Sequence, residues 1–251
     1  MPAIIELDNL THRFADGTIG VEGITLAIEE GAFVVIAGAN GSGKTTLLHH
    51  LNGLLQPTSG SVRVAGACVK EDPIQARVRV GMVFQDADSQ IVGETVRDDV
   101  AFGPENLRLD RVEIDRRVGE ALSATGLIHL ADKRPHLLSG GEKRRLAIAG
   151  ILAMRPRVIV FDEPFANLDY PGVRQVLDQI LRQHRAGCTI IVTTHDLEKV
   201  LAHADRLIFM REGRIEKRYL TLVAGRWPNP VQHVKLPLHK RVTDDGEKRV
   251  T

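Results

Sequence analysis

Cysteine is nearly absent from this chain of 251 residues; Cys68 and Cys188 are the only two. They lie far apart and show no zinc spacing, so a reduced, cytosolic setting is expected, with both thiols as small apolar fillers. An excess of charge of either sign is missing too. Lysine and arginine number 33 against 32 aspartates and glutamates, a formal net charge of +1, which removes any global electrostatic case for binding nucleic acid or an anionic membrane. No apolar run approaches the roughly 18 residues that would mark a membrane span. The opening Met-Pro-Ala-Ile-Ile-Glu lacks the basic start and apolar stretch of a signal peptide. Any membrane role is therefore expected to come through a partner. Internal repeats and low-complexity tracts are also missing. What remains is ordinary for a soluble globular protein, 43% hydrophobic and 26% charged, and long enough for a full α/β core with a small second subdomain.

The strongest signal present is at residues 38–45, which read Gly-Ala-Asn-Gly-Ser-Gly-Lys-Thr. The pattern G-x-x-x-x-G-K-[ST] is that of a phosphate loop. Its three glycines let the backbone curl so that successive N–H groups point into one cavity. The helix that follows turns its positive end to the same place. Lys44 adds a full charge for the outer phosphates, and Thr45 offers a hydroxyl to Mg²⁺. The context agrees: residues 32–37 are an apolar run with the look of a buried strand, and residues 45–55 have helical apolar spacing. The alternative is a Gly-rich surface turn.

Residues 4–10 and 24–28 read as short strands flanking a turn at Asp16-Gly17. Residues 62–69 alternate as a further strand after Pro57-Thr58-Ser59-Gly60. Together they suggest a small antiparallel sheet wrapped around the edge of the core. Residues 78–84 form another apolar strand, ending at Gln85. From about 95 to 155 helical periodicity and charged faces predominate, most clearly at 113–122 and 142–152, which predicts an inserted helical subdomain. Strand signals return at 158–161, 189–193 and 207–210, separated by helical stretches at 173–184 and 197–201. Such alternation implies parallel pairing with right-handed crossovers and ligands beyond the carboxyl ends of the strands. The phosphate loop, Asp162 and His195 would all fall there. The pattern fades from Trp227. The tail, residues 226–251, is read as loosely ordered, or alternatively as an arm that packs on a partner through Trp227 and residues 231–238.

Two further segments carry chemistry. Residues 158–163 read Val-Ile-Val-Phe-Asp-Glu, and a buried strand that ends in two adjacent carboxylates is costly without a use for them. Asp162 suits a direct or water-mediated Mg²⁺ role. Glu163 suits activation of a water for in-line attack on a terminal phosphate. The plainer alternative is a pair of solvated acids opening a turn before Pro164. Residues 138–142 read Leu-Ser-Gly-Gly-Glu and directly precede a helix. Ser139 with two glycines makes a helix N-terminus with exposed N–H groups, either a simple cap or a second anion site. Nearly a hundred residues from Lys44, that site would be separate from the first or shared between two chains.

In order and spacing these three segments resemble the ATP-binding cassette ATPases. Gln85 resembles that family's Q-loop glutamine, Ala166-Asn167-Leu168-Asp169 its D-loop and His195 its switch histidine, so the likeness covers roughly residues 3–220. It implies an α/β fold over residues 1–225: a phosphate-loop NTPase core with a mostly parallel sheet, a small antiparallel β subdomain and the inserted helical subdomain. It implies ATP and Mg²⁺, with ATP held by Gly38, Ala39, Asn40, Gly41, Ser42, Gly43, Lys44, Thr45 and Thr46. Thr45, Gln85 and Asp162 would attend Mg²⁺, and Lys44, Glu163 and His195 would be catalytic. Phe14 stands where the family stacks an aromatic ring on adenine; an edge core role is the alternative. Two subunits would face head to tail, each ATP also meeting Ser139, Gly140 and Gly141 of the other, and Glu142 and Asp169 would be further ATP-binding residues. That second subunit is a copy of this chain or a similar one.

Residues 83–107 carry a narrower likeness. Gln-Asp-Ala-Asp-Ser-Gln-Ile-Val and Asp-Val-Ala-Phe-Gly-Pro-Glu-Asn resemble the energy-coupling-factor branch, whose ATPases drive uptake of vitamins and of cobalt or nickel ions. Phe14-Ala15-Asp16-Gly17 is similar to that branch's Asp-Gly start, although Ala15 stands where proline is common. The likeness implies an importer's energising subunit at the cytoplasmic face of the cell membrane. Its partners would be an integral-membrane coupling subunit and a substrate-binding membrane subunit, contacted around Gln90 to Asn106. Gln90, Ile91 and Val92 would be exposed for them; plain core packing of Ile91 and Val92 is the alternative. A soluble cassette acting on nucleic acid or ribosomes would carry paired cassettes, long coiled coils or a strongly basic surface, and this chain has none of these. A small-molecule kinase would leave residues 138–142 without a task.

Overall fold

The computed structural model describes residues 2–220. β1 (Ala3–Arg13) and β2 (Ile19–Glu29) form an antiparallel hairpin with several register shifts, its buried residues alternating at Ile5 and Leu7 and at Ile24, Leu26 and Ile28. β3 (Phe33–Ala37) is buried throughout and leads through residues 38–43 into α1 (Lys44–Leu51). β4 (Ser59–Val64) and β5 (Ala67–Cys68) complete a four-stranded antiparallel sheet in the order β2-β1-β4-β5. After α2 (Pro73–Arg79) and β6 (Val80–Val83) come three helices, α3 (Val96–Asn106), α4 (Arg111–Ala124) and α5 (Gly140–Met154). β7 (Val158–Asp162), α6 (Tyr170–Arg185), β8 (Thr189–Thr193), β9 (Arg206–Arg211) and β10 (Arg214–Leu220) close the chain's described part. The second sheet runs β10-β9-β3-β8-β7-β6, parallel except for β10 at its edge. Strands covered on both faces need apolar side chains on both, which is why β3, β7 and β8 read as unbroken apolar runs.

One apolar cluster joins Leu7, Leu10 and Ile24 of the small sheet to Leu47, Leu48 and Leu51 of α1 and to Val160, Ile191 and Ile208 of the large sheet. The helix after the phosphate loop is thereby held between two sheets. Each of its fully buried leucines contributes on the order of 1.5–3 kcal/mol. A second cluster gathers α3, α4 and α5 with the segment between α4 and α5, built on Val96, Val100, Ile114, Val118, Leu122, Leu127 and Leu146. The four-residue spacings within it give each helix one apolar stripe.

Several elements depart from the sequence expectation. Residues 62–69 are not one strand. Ala65 and Gly66 both take positive φ (49° and 79°) and reverse the chain into β5. Val62, Val64 and Val69 nonetheless all face the same core. The strand expected at 78–84 begins only at Val80, because α2 precedes it: Asp72 accepts from the Gln75 amide at 2.9 Å and Pro73 takes the first turn. The helix expected at 197–201 is two short 3-10 turns, Leu197–Lys199 and Leu201–His203. β10 had no counterpart in the sequence reading. Gln90 and Ile91 are half-buried rather than exposed. The Gln90 amide donates to the Met82 carbonyl at 3.1 Å and accepts from the Phe84 amide at 3.2 Å, and Ile91 packs on the α3–α5 cluster. Val92, 64% exposed, and Phe102, 55% exposed, do face outward. Both cysteines are free thiols, and burial pushes Cys188 up to about 12, far from a reactive thiolate. Among the described residues no helix is long and apolar enough to cross a membrane. The tail from residue 226, with Trp227, lies outside the described residues.

The outward loop before α3 hangs on one carboxylate. Asp99 Oδ1 accepts from the amides of Val92 (2.8 Å) and Gly93 (2.9 Å), and Asp99 is buried. Asp99→Ala strands both amides and is expected to cost about 1–3 kcal/mol. Asp99→Asn keeps the accepting oxygen and is expected to lose less than half of that. Urea unfolding of the three proteins checks the order; an alanine variant as stable as the parent would contradict it.

Candidate functional site

Residues 38–43 form a cup between β3 and α1 whose donors have few internal partners. Gly43 stands just before the helix at φ 96°, and a Cβ there would lie 2.4 Å from the Gly20 carbonyl oxygen, so no other residue fits without moving β2. No side chain caps α1 and no acid stands in its first turn. Its opening amides are left for an anion from outside. Ser42 Oγ is buried and has no hydrogen-bond partner among the described residues. Lys44 is buried and bends back, Nζ donating to the carbonyls of Gly38 (2.9 Å) and Ala39 (3.0 Å). Burial lowers its pKa, and the charges of Glu163 and Asp162 work against that shift. Uncapped amides, an unpartnered hydroxyl and an ammonium on one cup fit a phosphate chain.

The parallel register sets the second group beside the first. Asp162 of β7 pairs with Thr193 of β8, so both strands end level. Thr45 Oγ1, on α1, donates to Asp162 Oδ2 at 2.8 Å, and Thr193 Oγ1 donates to Asp162 Oδ1 at 2.5 Å. Glu163 follows at φ 46°, a left-handed turn whose cost for a non-glycine residue is about 1–3 kcal/mol. Its amide is held by the Thr193 carbonyl and hydroxyl, both at 3.1 Å. The turn brings Glu163 Oε2 to 3.0 Å from Nδ1 of His195, whose ring is otherwise exposed. The oxygens of Thr45 and Asp162 are hard donors that suit Mg²⁺ shared with phosphate oxygens. Gln85 is exposed just past β6, three strands away from β3.

Ser139, Gly140, Gly141, Glu142 and Asp169 stand apart from the cup. Among the described residues no hydrogen bond or ion pair joins them to residues 38–46. Ser139 and Glu142 form a reciprocal cap on α5: Glu142 Oε2 accepts from the Ser139 amide at 2.7 Å, and Ser139 Oγ accepts from the Glu142 amide at 3.3 Å. Those bonds lower the Glu142 pKa. Asp169 caps α6 by accepting from the Gly172 amide at 2.9 Å. Phe14 sits at the turn between β1 and β2 with its ring 39% exposed.

Three residues of the site went unnoticed in the sequence. Thr193 ended a strand that read as apolar, and only a hydroxyl at a carboxyl strand end hinted at it. Arg144, buried on α5, donates to the Phe84 carbonyl at 2.8 Å, and Lys143 pairs with Asp88 at 2.5 Å. The pair of bonds ties α5 to the chain on both sides of Gln85. Neither carries a motif; a run of basic residues on a helix looks like a solvated face.

Residues 21–166 match the model of the ABC transporter family. Over its whole length the chain is 45% identical to the energy-coupling factor transporter ATP-binding protein EcfA of Carboxydothermus hydrogenoformans, covering 93% of that protein. Among solved structures, cbiO1 of Clostridium perfringens, part of the ABC transporter complex cbiONQ, superposes with a TM-score of 0.79 at 38% identity, covering 87% of this chain and 88% of that one. A dimeric ATP-binding cassette in a post-hydrolysis state, bound to ADP and phosphate, gives 0.78 at 28% identity, over 86% of this chain and 98% of the other. The chain belongs to the ABC transporter family, as an ATP-binding subunit of the energy-coupling-factor type.

Thr193→Val removes the hydroxyl that holds both Asp162 and the Glu163 amide. It is expected to slow ATP hydrolysis on the order of tenfold while ATP affinity stays within about twofold. Steady-state turnover set against equilibrium nucleotide binding separates the two; unchanged turnover would show that the hydroxyl does not position the carboxylates.

Proposed function

We propose that this chain is the ATP-hydrolysing, energising subunit of an energy-coupling-factor importer and that its two anion sites meet only across a pair of subunits. The observation that carries the pairing is the separation of the phosphate cup from the exposed N-terminus of α5, each complete locally and neither bonded to the other. Residues 38–46 hold the phosphates of ATP on one subunit, and Phe14 holds its adenine. Ser139, Gly140, Gly141, Glu142 and Asp169 of the second subunit cover the same nucleotide. ATP charge bridges the pair, and hydrolysis removes the bridge.

Within one site, Lys44 leaves its loop carbonyls for the outer phosphates, where its positive charge is stabilising. Mg²⁺, when bound, neutralises phosphate charge, and Thr45, Asp162 and Gln85 are the residues that would hold it. Glu163 accepts a proton from the attacking water, and its hydrogen bond to His195 fixes where the carboxylate points. His195 contacts the terminal phosphate from its exposed side. In this reading the segment from Gln90 to Asn106 faces an integral-membrane coupling subunit through Val92 and Phe102, and the chain works at the cytoplasmic face of the membrane. A substrate-binding membrane subunit completes the importer and chooses the solute.

Glu163→Gln is expected to retain ATP binding and to slow hydrolysis on the order of 10²–10⁴-fold, leaving an ATP-bound dimer visible by size-exclusion chromatography. Turnover near the parent's would remove Glu163 from the base role. Ser139→Arg is expected to block hydrolysis with no loss of ATP binding to the monomer. Turnover that survives this change and does not depend on protein concentration would sink the shared site.

A further inference from the structure

Behind Phe14 lies a chain of rings that none of the roles above uses. The Phe14 ring meets the His12 ring edge-on, centroids 4.6 Å apart at 79°. His12 in turn meets His50 at 4.8 Å and 69°. On another side Phe14 is confined by Gly20, where a Cβ would lie 2.8 Å from ring atom Cε2 and equally close to Thr46 Cγ2. His50 is fully buried on α1, one turn after Thr46.

The partners fix the protons. His50 Nδ1 lies 2.7 Å from the Thr46 carbonyl oxygen, which only accepts, so Nδ1 carries hydrogen. In the neutral ring Nε2 is then a bare acceptor, and it lies 3.2 Å from His12 Nδ1. His12 Nδ1 also faces the Gln56 carbonyl at 3.0 Å and therefore carries hydrogen too, its one N–H shared between that oxygen and His50 Nε2. The result is a directed chain, His12 to His50 to the backbone of Thr46, running from the β1 edge to the first turn of the phosphate-loop helix. A second proton on His50 would set two N–H groups against each other. Burial lowers the His50 pKa, as do the charges of His12 and His49, while the carbonyls of Thr46 and Gln56 work against them. The neutral, bonded form is thereby favoured.

We propose that His12 and His50 are positioning residues for the nucleobase, locking the Phe14 ring at a fixed place relative to the phosphate loop. This rests on Phe14 being the adenine platform. An aromatic ring at an exposed turn has a rotor of its own, and holding it edge-on removes that freedom before the base arrives. Such a lock acts on ligands that carry a base and not on a bare phosphate chain.

The test measures equilibrium binding of ATP and of inorganic tripolyphosphate, both with Mg²⁺, to the full chain by calorimetry. Phe14→Ala is expected to weaken ATP and leave tripolyphosphate unchanged. If it does not, the platform reading fails and the lock with it. With that established, His12→Leu is expected to weaken ATP about three- to tenfold, the range for one lost hydrogen bond, with tripolyphosphate within about twofold. His12→Asn, which keeps a donor toward His50 but has no ring for Phe14 to meet, is expected to restore only part of the loss. His12→Leu in a Phe14→Ala background is expected to add nothing. Equal weakening of both ligands, or no weakening of ATP, overturns the lock while the platform reading stands. Imidazole ¹⁵N spectra of the unaltered protein give a check that no folding defect can blur: His50 is expected as the Nδ1–H tautomer at neutral pH, and a charged or Nε2–H ring overturns the proposal.

Discussion

The carboxylate of Asp162 accepts from Thr45 on one oxygen and from Thr193 on the other. Those two bonds cross-link the helix after the phosphate loop with the carboxyl ends of β7 and β8. Charge-assisted bonds to a shielded carboxylate are among the stronger polar contacts a protein makes. Here they also fix relative position: the loop cannot drift from Glu163 and His195 without breaking one of them. The sheet register supplies the rest, since strands ending level present their last residues to one edge.

Around that edge the chain divides its tasks by rigidity. The cup rests on α1, which two sheets hold through one apolar cluster. The α3–α5 helices have a separate core and meet the phosphate edge through few bonds, chiefly Arg144 to the Phe84 carbonyl and Lys143 to Asp88. A change at Gln85 therefore has a short path to α5, through backbone and two cations.

Most of the cup was legible in the sequence because its chemistry leaves no choice of residue. Gly43 needs its missing Cβ, Lys44 its ammonium, and Asp162 and Glu163 stand where a buried strand has no other reason for acids. What stayed hidden depends on neighbours far along the chain. The hairpin at Ala65-Gly66 returns Val69 to the core that Val62 and Val64 face, so the apolar content of the stretch resembles one strand. The apolar run that begins at Val78 reads as strand, while α2, started by Asp72 and Pro73, reaches to Arg79. Gln90 looked like a surface residue because a glutamine amide betrays nothing of the backbone groups it will meet, here those of Met82 and Phe84. Thr193 gained its part only from lying opposite Asp162 in register.

The cap on α5 uses the Ser139 oxygen as an acceptor and Glu142 for the Ser139 amide. The hydroxyl hydrogen and the amides of Gly140 and Gly141 are not spent on it. The end of the helix is thus already shaped and stable in a lone subunit, yet still has donors to give. In the proposed pairing, association orders nothing at that end. The attraction between subunits is then set almost wholly by whether a nucleotide lies between them, which makes the pair a reader of bound ATP rather than a standing complex.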